Sequence, residues 1–176
     1  MRLPKTYFTN DVLKIAPDLL GKKLVRIFKD GSRKEYLITE TEAYRGEEDL
    51  ACHASKGRTT RTEVMYQEGG VIYVYLIYGM YWLLNIVTGE SNDPQAVLIR
   101  GLKKLNGPGR VGTQLQLDKS FYGEDLTQSK RIWIETGIGV VRYTADKRVG
   151  VDYAGEEWAN KLWHFIVDNS GKKLRD

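Results

Sequence analysis

"GVIYVYLIYGMYWLLN", residues 70–85, places four tyrosines and one tryptophan in sixteen positions. Two apolar, ring-rich runs, 71–78 and 81–87, meet at Gly79-Met80, the pattern of two strands joined by a tight turn. Successive side chains of a strand alternate, so Tyr73 and Tyr75 share one face while Tyr78 points the other way at the tip. Rings two residues apart can flank a flat ligand, and they can equally fill a buried strand. Tyr78 is exposed on either reading. Asn85 interrupts the otherwise apolar "YWLLNIV". Burying an unpaired amide costs about 1–3 kcal/mol, so Asn85 implies a fixed hydrogen-bonding role, structural or functional.

Outward from this hairpin, "FTNDVLKIAPDLLG" (8–21) reads as a short helix capped near Thr9 or Asn10. Val12, Leu13, Ala16, Leu19 and Leu20 form its apolar face and Gly21 stops it, with Pro17 allowing two shorter turns instead. "KKLVRIF" and "EYLITETEAY" flank Lys29-Asp30-Gly31-Ser32, a second hairpin signal. Residues 47–61 are polar and aperiodic, which predicts a loop. "PQAVLIRG" predicts a strand after a turn at 91–94, "NGPGR" (106–110) a loop, 131–136 and 139–143 further strands, and 156–162 a short helix. Together these elements describe an α+β domain with an antiparallel core.

The totals agree. A chain of 176 residues, 41% apolar and 28% charged, fits one folded domain. No run approaches the roughly 18 apolar residues of a membrane span, and no secretory signal is expected behind the N-terminus. One cysteine excludes an internal disulfide framework and fits a reducing compartment, and with two histidines a Cys/His zinc site is not expected. Basic residues exceed acidic ones by 27 to 23, for a net charge of +4, which is compatible with a polyanionic partner.

In "EYLITETEAY" the period of two places Tyr36, Ile38, Glu40, Glu42 and Tyr44 on one side. A carboxylate beside a ring could be a general base next to a stacking surface, or a solvated edge paired to lysines. Spacing does not separate the two. Cys52-His53 are sequence neighbours whose side chains diverge, so a nucleophile pair is not expected. Lys103, Lys104 and Arg110 bracket one loop, and Lys56, Arg58 and Arg61 crowd another. Each group is either a solvated face or a phosphate grip. The residues alone reach a nucleic-acid or flat-ligand binder.

Six collinear segments carry more. "ETEAY" (40–44), "ACHASKGRTTR" (51–61), "IYVYLIYGMYWLLN" (72–85), "AVLIRG" (96–101), "GPGR" (107–110) and "RVGVDYAGEEWA" (148–159) together resemble the alkyladenine, or mammalian-type 3-methyladenine, DNA glycosylases. The resemblance implies one mixed α/β domain over 1–176, with a curved, mainly antiparallel sheet, short surrounding helices and a protruding β-hairpin. It implies a monofunctional glycosylase of base excision repair that flips out 3-methyladenine, 7-methylguanine, hypoxanthine or ethenoadenine and hydrolyses the N-glycosidic bond. The alternative is a protein of this kind that binds damaged DNA without cutting the bond. No cofactor and no metal are implied, and the partner is double-stranded DNA containing modified purines. A monomer suffices, away from membranes, in a bacterial cytoplasm and on the nucleoid.

By the same resemblance Glu42 is the catalytic base, with Arg100 and the Val149 carbonyl positioning the attacking water. Tyr44, His53 and Tyr75 hold the flipped base, Tyr73 lies near it, and Asn85 excludes the guanine 2-amino group. Tyr78 is the wedge that fills the vacated stack. Arg58, Arg61, Lys103, Lys104 and Arg110 are candidates for the DNA backbone. The chain departs from the family pattern at Cys52, at Thr62, in "GPGRVGTQL" and in "KLWHF" (161–165), the last two bearing on DNA grip and the channel to the pocket.

Overall fold

The computed structural model of the chain describes residues 1–139 and 141–168. In chain order its elements are α1 (Lys5–Phe8), α2 (Val12–Asp18), β1 (Lys23–Ile27), β2 (Arg33–Arg45), β3 (Ile72–Ile77), β4 (Tyr81–Thr88), β5 (Gln95–Leu102), β6 (Leu105–Asn106), α3 (Pro108–Gln114), β7 (Ile132–Glu135), β8 (Tyr143–Asp146), α4 (Glu156–Ala159) and β9 (His164–Val167).

The thirteen-residue β2 organises them. Its first half pairs with β1, Leu24 opposite Tyr36, and its second half pairs with β5, Glu42 opposite Leu98. On the edge away from β5, Glu40, Thr41 and Glu42 face Ile166, Phe165 and His164 of β9. The register shifts between Ile38 and Thr41, a bulge that bends the strand where its partner on that edge changes. The principal strand order is β3-β4-β5-β2-β1-β7, with β6 on β5 and β8 on β9. Every pairing is antiparallel and the sheet stays open, so the α+β domain with its mainly antiparallel sheet is the observed fold.

The main core lies between one sheet face and the helices, with Phe8, Ile15 and Leu19 against Ile38, Leu84, Ile86 and Ile99. Two buried polar bonds set how α2 docks. Thr41 Oγ1 donates to the Ala16 carbonyl at 2.8 Å, and the Val12 N–H donates to Gln95 Oε1 at 2.7 Å. The helix cap is Asp11, whose side chain accepts from the Leu13 N–H, one or two residues later than expected.

Both expected hairpins form. Ile77 pairs with Tyr81 across a loop at 78–80. Tyr78 (φ 52°) and Gly79 (φ 66°) are both left-handed, a turn whose twist matches that of the strands.

Four local expectations change. "NGPGR" is not a loop throughout: Gly107 precedes a helix whose first residue is Pro108. A glycine-rich helix is poor by propensity and forms here because Gly112 lies on β4, where a Cβ would come within 1.8 Å of the Trp82 carbonyl oxygen. The strand expected at 139–143 begins instead at Tyr143, where the chain meets β9, and residue 140 lies outside the described residues. The helix expected at 156–162 ends at Ala159. The loop at 47–61 contains one 3₁₀ turn, His53–Lys56. β9, which the hydrophobic pattern did not predict, completes the edge of β2.

Candidate active site

A cavity of about 640 Å³ opens beside the hairpin, within the usual size range of small-ligand pockets. Strands β2, β4 and β5 supply its floor through Glu42, Tyr44, Asn85, Leu98 and Arg100. β3 supplies one wall through Tyr73 and Tyr75, and Ala51, Cys52 and His53 continue that wall. Arg61, residues 107–110 and residues 149–151 with Tyr153 complete the rim, and Tyr78 stands at its outer edge.

The floor is a row of charged groups. Glu42 is fully buried, and its described partners are all donors. The Val149 N–H reaches Oε1 at 2.7 Å, the Tyr44 hydroxyl reaches Oε2 at 2.8 Å, and Arg100 Nε lies 3.6 Å from Oε1. Arg100 Nε also donates to Glu40 Oε1 at 3.0 Å, and the same Glu40 oxygen takes His164 Nε2 at 2.7 Å. The period of two had put Tyr36, Ile38, Glu40, Glu42 and Tyr44 on one side; the bulge breaks that period, leaving Ile38 and Tyr36 with the main core, while Glu40 and Glu42 both meet one guanidinium. His164 beside Glu40 holds that carboxyl below its ordinary range, with Arg100 adding to the effect and burial opposing it. Burial alone would lower the His164 imidazole, but its bond to Glu40 and the fields of Glu42 and Glu40 raise it. Burial, and then Glu42, push the Tyr44 hydroxyl far up, so it stays a donor.

The wall is aromatic. His53 Nδ1 and the Tyr73 hydroxyl are 2.8 Å apart, and the His53 ring meets Tyr75 edge-on with centroids 4.6 Å apart. Burial, then Arg61 and Lys56, push the His53 imidazole down to about 4, so it is neutral at pH 7. Arg61 lies over the Tyr75 ring at 5.1 Å. Asn85 is buried and its Nδ2 donates to the Tyr73 and Leu83 carbonyls at 3.2 and 3.5 Å. The backbone thus fixes the orientation of this amide, meeting the need that the sequence implied.

A second buried pair joins wall to floor. Arg148 and Asp49, both side chains wholly buried, make two bonds of 2.5 and 2.8 Å. Arg148 also donates to the Ala43 carbonyl at 3.0 Å and lies 4.9 Å from the Tyr44 ring centre. Asp49 accepts the N–H groups of Arg45 and Ala51. The pair therefore ties the chain leading into His53 to the residue preceding Val149. Sequence reading did not single out Asp49, Arg148, Glu40 or His164 as functional, since their partners come from segments far apart in the chain.

Of the backbone candidates, Arg61 and Arg110 line the cavity. Arg58 is turned to Glu63 at 2.9 Å and to the Tyr66 ring, outside the cavity lining. Lys103 and Lys104 lie in the turn between β5 and β6, also outside it. Cys52 is buried, and burial pushes its thiol up to about 12, which leaves no thiolate to act as a nucleophile. Among the described residues no group of three or more His, Cys, Asp or Glu is placed to hold a metal ion, and no helix is long and apolar enough to cross a membrane.

A carboxylate held by donors at the bottom of an aromatic pocket can activate water or steady a developing cation. Comparison with known proteins gives that chemistry a context. The methylpurine-DNA glycosylase family model matches residues 6–106 and 102–171. A protein of Natranaerobius thermophilus, provisionally named a 3-methyladenine DNA glycosylase, is 40% identical over 95% of this chain and 96% of its own length. Relatives with the same provisional name from Methanocella arvoryzae (41%; 96% of this chain, 93% of theirs) and Borreliella afzelii (38%; 96% and 97%) are similar along almost their whole length.

Proposed function

This chain belongs to the methylpurine-DNA glycosylase family, and from that membership we propose a monofunctional enzyme of the alkyladenine type that uses a water activated by Glu42. As a member it is a DNA N-glycosylase of DNA repair, acting on DNA that carries damaged bases. The proposed substrates are 3-methyladenine, 7-methylguanine, hypoxanthine and ethenoadenine in duplex DNA, removed by a monomer.

The observation that carries this reading is the setting of Glu42: no solvent exposure, three donors around it, and an aromatic pocket above. The damaged nucleotide is rotated out of the stack into the cavity. Its base lies among Tyr44, His53 and Tyr75, with Tyr73 behind. A neutral His53 ring serves there as a flat surface, and cationic alkylpurines gain attraction from the tyrosine faces. Asn85, its amide fixed by the backbone, crowds the position of a guanine 2-amino group. Tyr78, 84% exposed at the hairpin tip, fills the gap in the duplex. Arg61 and Arg110 at the rim are the backbone candidates nearest the cavity; Arg58, Lys103 and Lys104 would act further out.

As the bond from the sugar C1′ to the base nitrogen breaks, its electron pair leaves with the base. Water adds to C1′, and Glu42 takes the water's proton while its charge offsets the oxocarbenium-like sugar. Arg100 and the Val149 carbonyl hold that water, and the Val149 N–H holds the carboxylate. Water rather than an amine attacks, so the product is an abasic site without strand nicking.

The test is alkali-dependent cleavage of labelled duplexes carrying hypoxanthine, ethenoadenine or 7-methylguanine, for the wild type and Glu42→Gln. Cleavage by the wild type, with a loss of several orders of magnitude in a variant that still binds the lesion, is the expected result. Near-normal turnover by the variant would remove Glu42 from the mechanism. An inert wild type on all three would point to a binding protein.

A further inference from the structure

Behind Arg100, outside the cavity lining, His164 is 6% exposed and both of its ring nitrogens face acceptors. Nε2 is 2.7 Å from Glu40 Oε1, and Nδ1 is 3.3 Å from the Lys147 carbonyl oxygen. A neutral imidazole carries one proton and would set a lone pair against one of these oxygens, whereas an imidazolium donates to both. The charged groups around the ring agree with that state. β2 presents Glu40 and Glu42, the latter directly opposite His164 in register, and β5 presents Arg100. β8 presents Asp146, also opposite in register, with Lys147 following it.

We propose that His164 is a positioning residue for the excision step: bonded as a cation to Glu40, it lets Arg100 serve Glu42 and the attacking water. One Glu40 oxygen takes both His164 at 2.7 Å and Arg100 at 3.0 Å, while Glu42 keeps Arg100 only at 3.6 Å. With His164 charged, the row His164, Glu40, Arg100, Glu42 holds two cations against two carboxyls. When His164 loses its proton, Arg100 is the cation that remains on Glu40 among the described residues, and the guanidinium is drawn away from Glu42. The protonated imidazole is the state in which the row works, and the sign follows: its value is raised, so the function of the row is present below the His164 titration and is lost as pH rises through it. The inference rests on Glu42 as the base, and it deepens that reading.

The experiment is single-turnover excision of ethenoadenine from pH 5.5 to 9.5 by the wild type, His164→Gln and His164→Arg, with lesion-duplex affinity measured alongside. The wild-type rate falls on the basic side. On the wild-type plateau His164→Gln is slower by about tenfold, and it lacks that basic limb, while His164→Arg extends the fast plateau to higher pH, all with affinity changed less than about threefold. A basic limb unchanged in His164→Gln, or an Arg variant as slow as the Gln variant at every pH, overturns the proposal. A second measurement needs no activity: the imidazole ¹⁵N shifts of the histidine-labelled wild type. A His164 midpoint above that of free histidine, with both nitrogens protonated below it, supports the proposal, and a midpoint at or below that of free histidine overturns it. If no duplex is cut while the shifts show the cation, the failure lies with the proposed reaction and not with the state of His164.

Discussion

The two histidines of the chain sit on opposite sides of one cavity and are driven in opposite directions. His53, in the wall, lies among rings with Arg61 and Lys56 nearby, and is held neutral down to about pH 4. His164, behind the floor, lies among carboxyls and is raised. Burial works against the charge of both, so the neighbours decide the difference. On the proposed function the wall offers a flat, uncharged surface for a base to lie on. On the proposed mechanism the floor calls for a cation behind its carboxylates while the water is activated. The contrast teaches that neighbours, and not burial, set two buried imidazoles apart in charge, which suits His53 to the proposed platform and His164 to the proposed counter-charge.

The largest break in this contrast comes from the clamp that joins wall to floor. Arg148→Met leaves Asp49 buried without its cation and should cost about 3–5 kcal/mol of folding free energy, read from urea denaturation. Asp49→Leu with Arg148→Met should recover much of that loss, since no buried charge is then left alone. A single-variant loss below about 1 kcal/mol would mean that wall and floor hold their positions without the clamp.

Next in size is the acid side of stability. The folded-state value of His53 lies below the unfolded value of 6.5, so its neutral burial contributes stability above pH 6.5 that is lost as pH falls toward 4. The loss attributable to His53 is about 2–3 kcal/mol by linkage, and His53→Phe should flatten that part of the denaturation profile. His164 has the reverse sign: its contribution is complete below about pH 6.5 and is lost as pH rises through its raised value. A stability that rose on acidification from pH 6.5 to 4 would contradict the state assigned to His53.

Smaller again is Tyr44→Phe, which removes the hydroxyl at 2.8 Å from Glu42 and keeps the ring. A hydrogen bond to a charged group contributes about 1.5–3 kcal/mol, and Val149 and Arg100 remain on the other oxygen, so we expect roughly tenfold slower single-turnover excision with lesion binding preserved. An equal loss in binding would place the hydroxyl on the substrate instead of on the carboxylate.

How legible each feature is in the sequence follows from how local it is. The β1–β2 and β3–β4 hairpins were legible because alternation and a glycine turn are encoded in one short continuous stretch each. Glu42 and Tyr44 on one side followed from the period of two. The Glu40–Arg100–His164 row was not legible, because His164 reaches it on a four-residue strand whose place is set only by pairing with β2 and β8. The assigned roles of Glu42 and Arg100 came from the family resemblance, and the geometry adds the N–H of Val149, where only its carbonyl had been expected to act. α3 was hidden by its glycines, which allow close packing on β4, Gly109 against the Tyr81 ring and Gly112 against the Trp82 carbonyl. β8 is exposed throughout and carries no hydrophobic period to find.

The smallest effect belongs to the hairpin tip, where neither burial nor charge decides the residue. Tyr78 is 84% exposed and holds φ 52°, a conformation that costs an ordinary side chain about 1–2 kcal/mol and that asparagine tolerates better. Folding gains nothing evident from a tyrosine there, so Tyr78→Asn should leave the folded protein equally stable or up to about 1 kcal/mol more stable. If the ring is the wedge, the same change should reduce the fluorescence change that reports a flipped ethenoadenine in duplex DNA. A variant that is destabilised and still flips normally would make Tyr78 a folding residue. A variant that is stable and poor at flipping would mean that the tip, unlike the wall and the floor, keeps its ring only for the DNA.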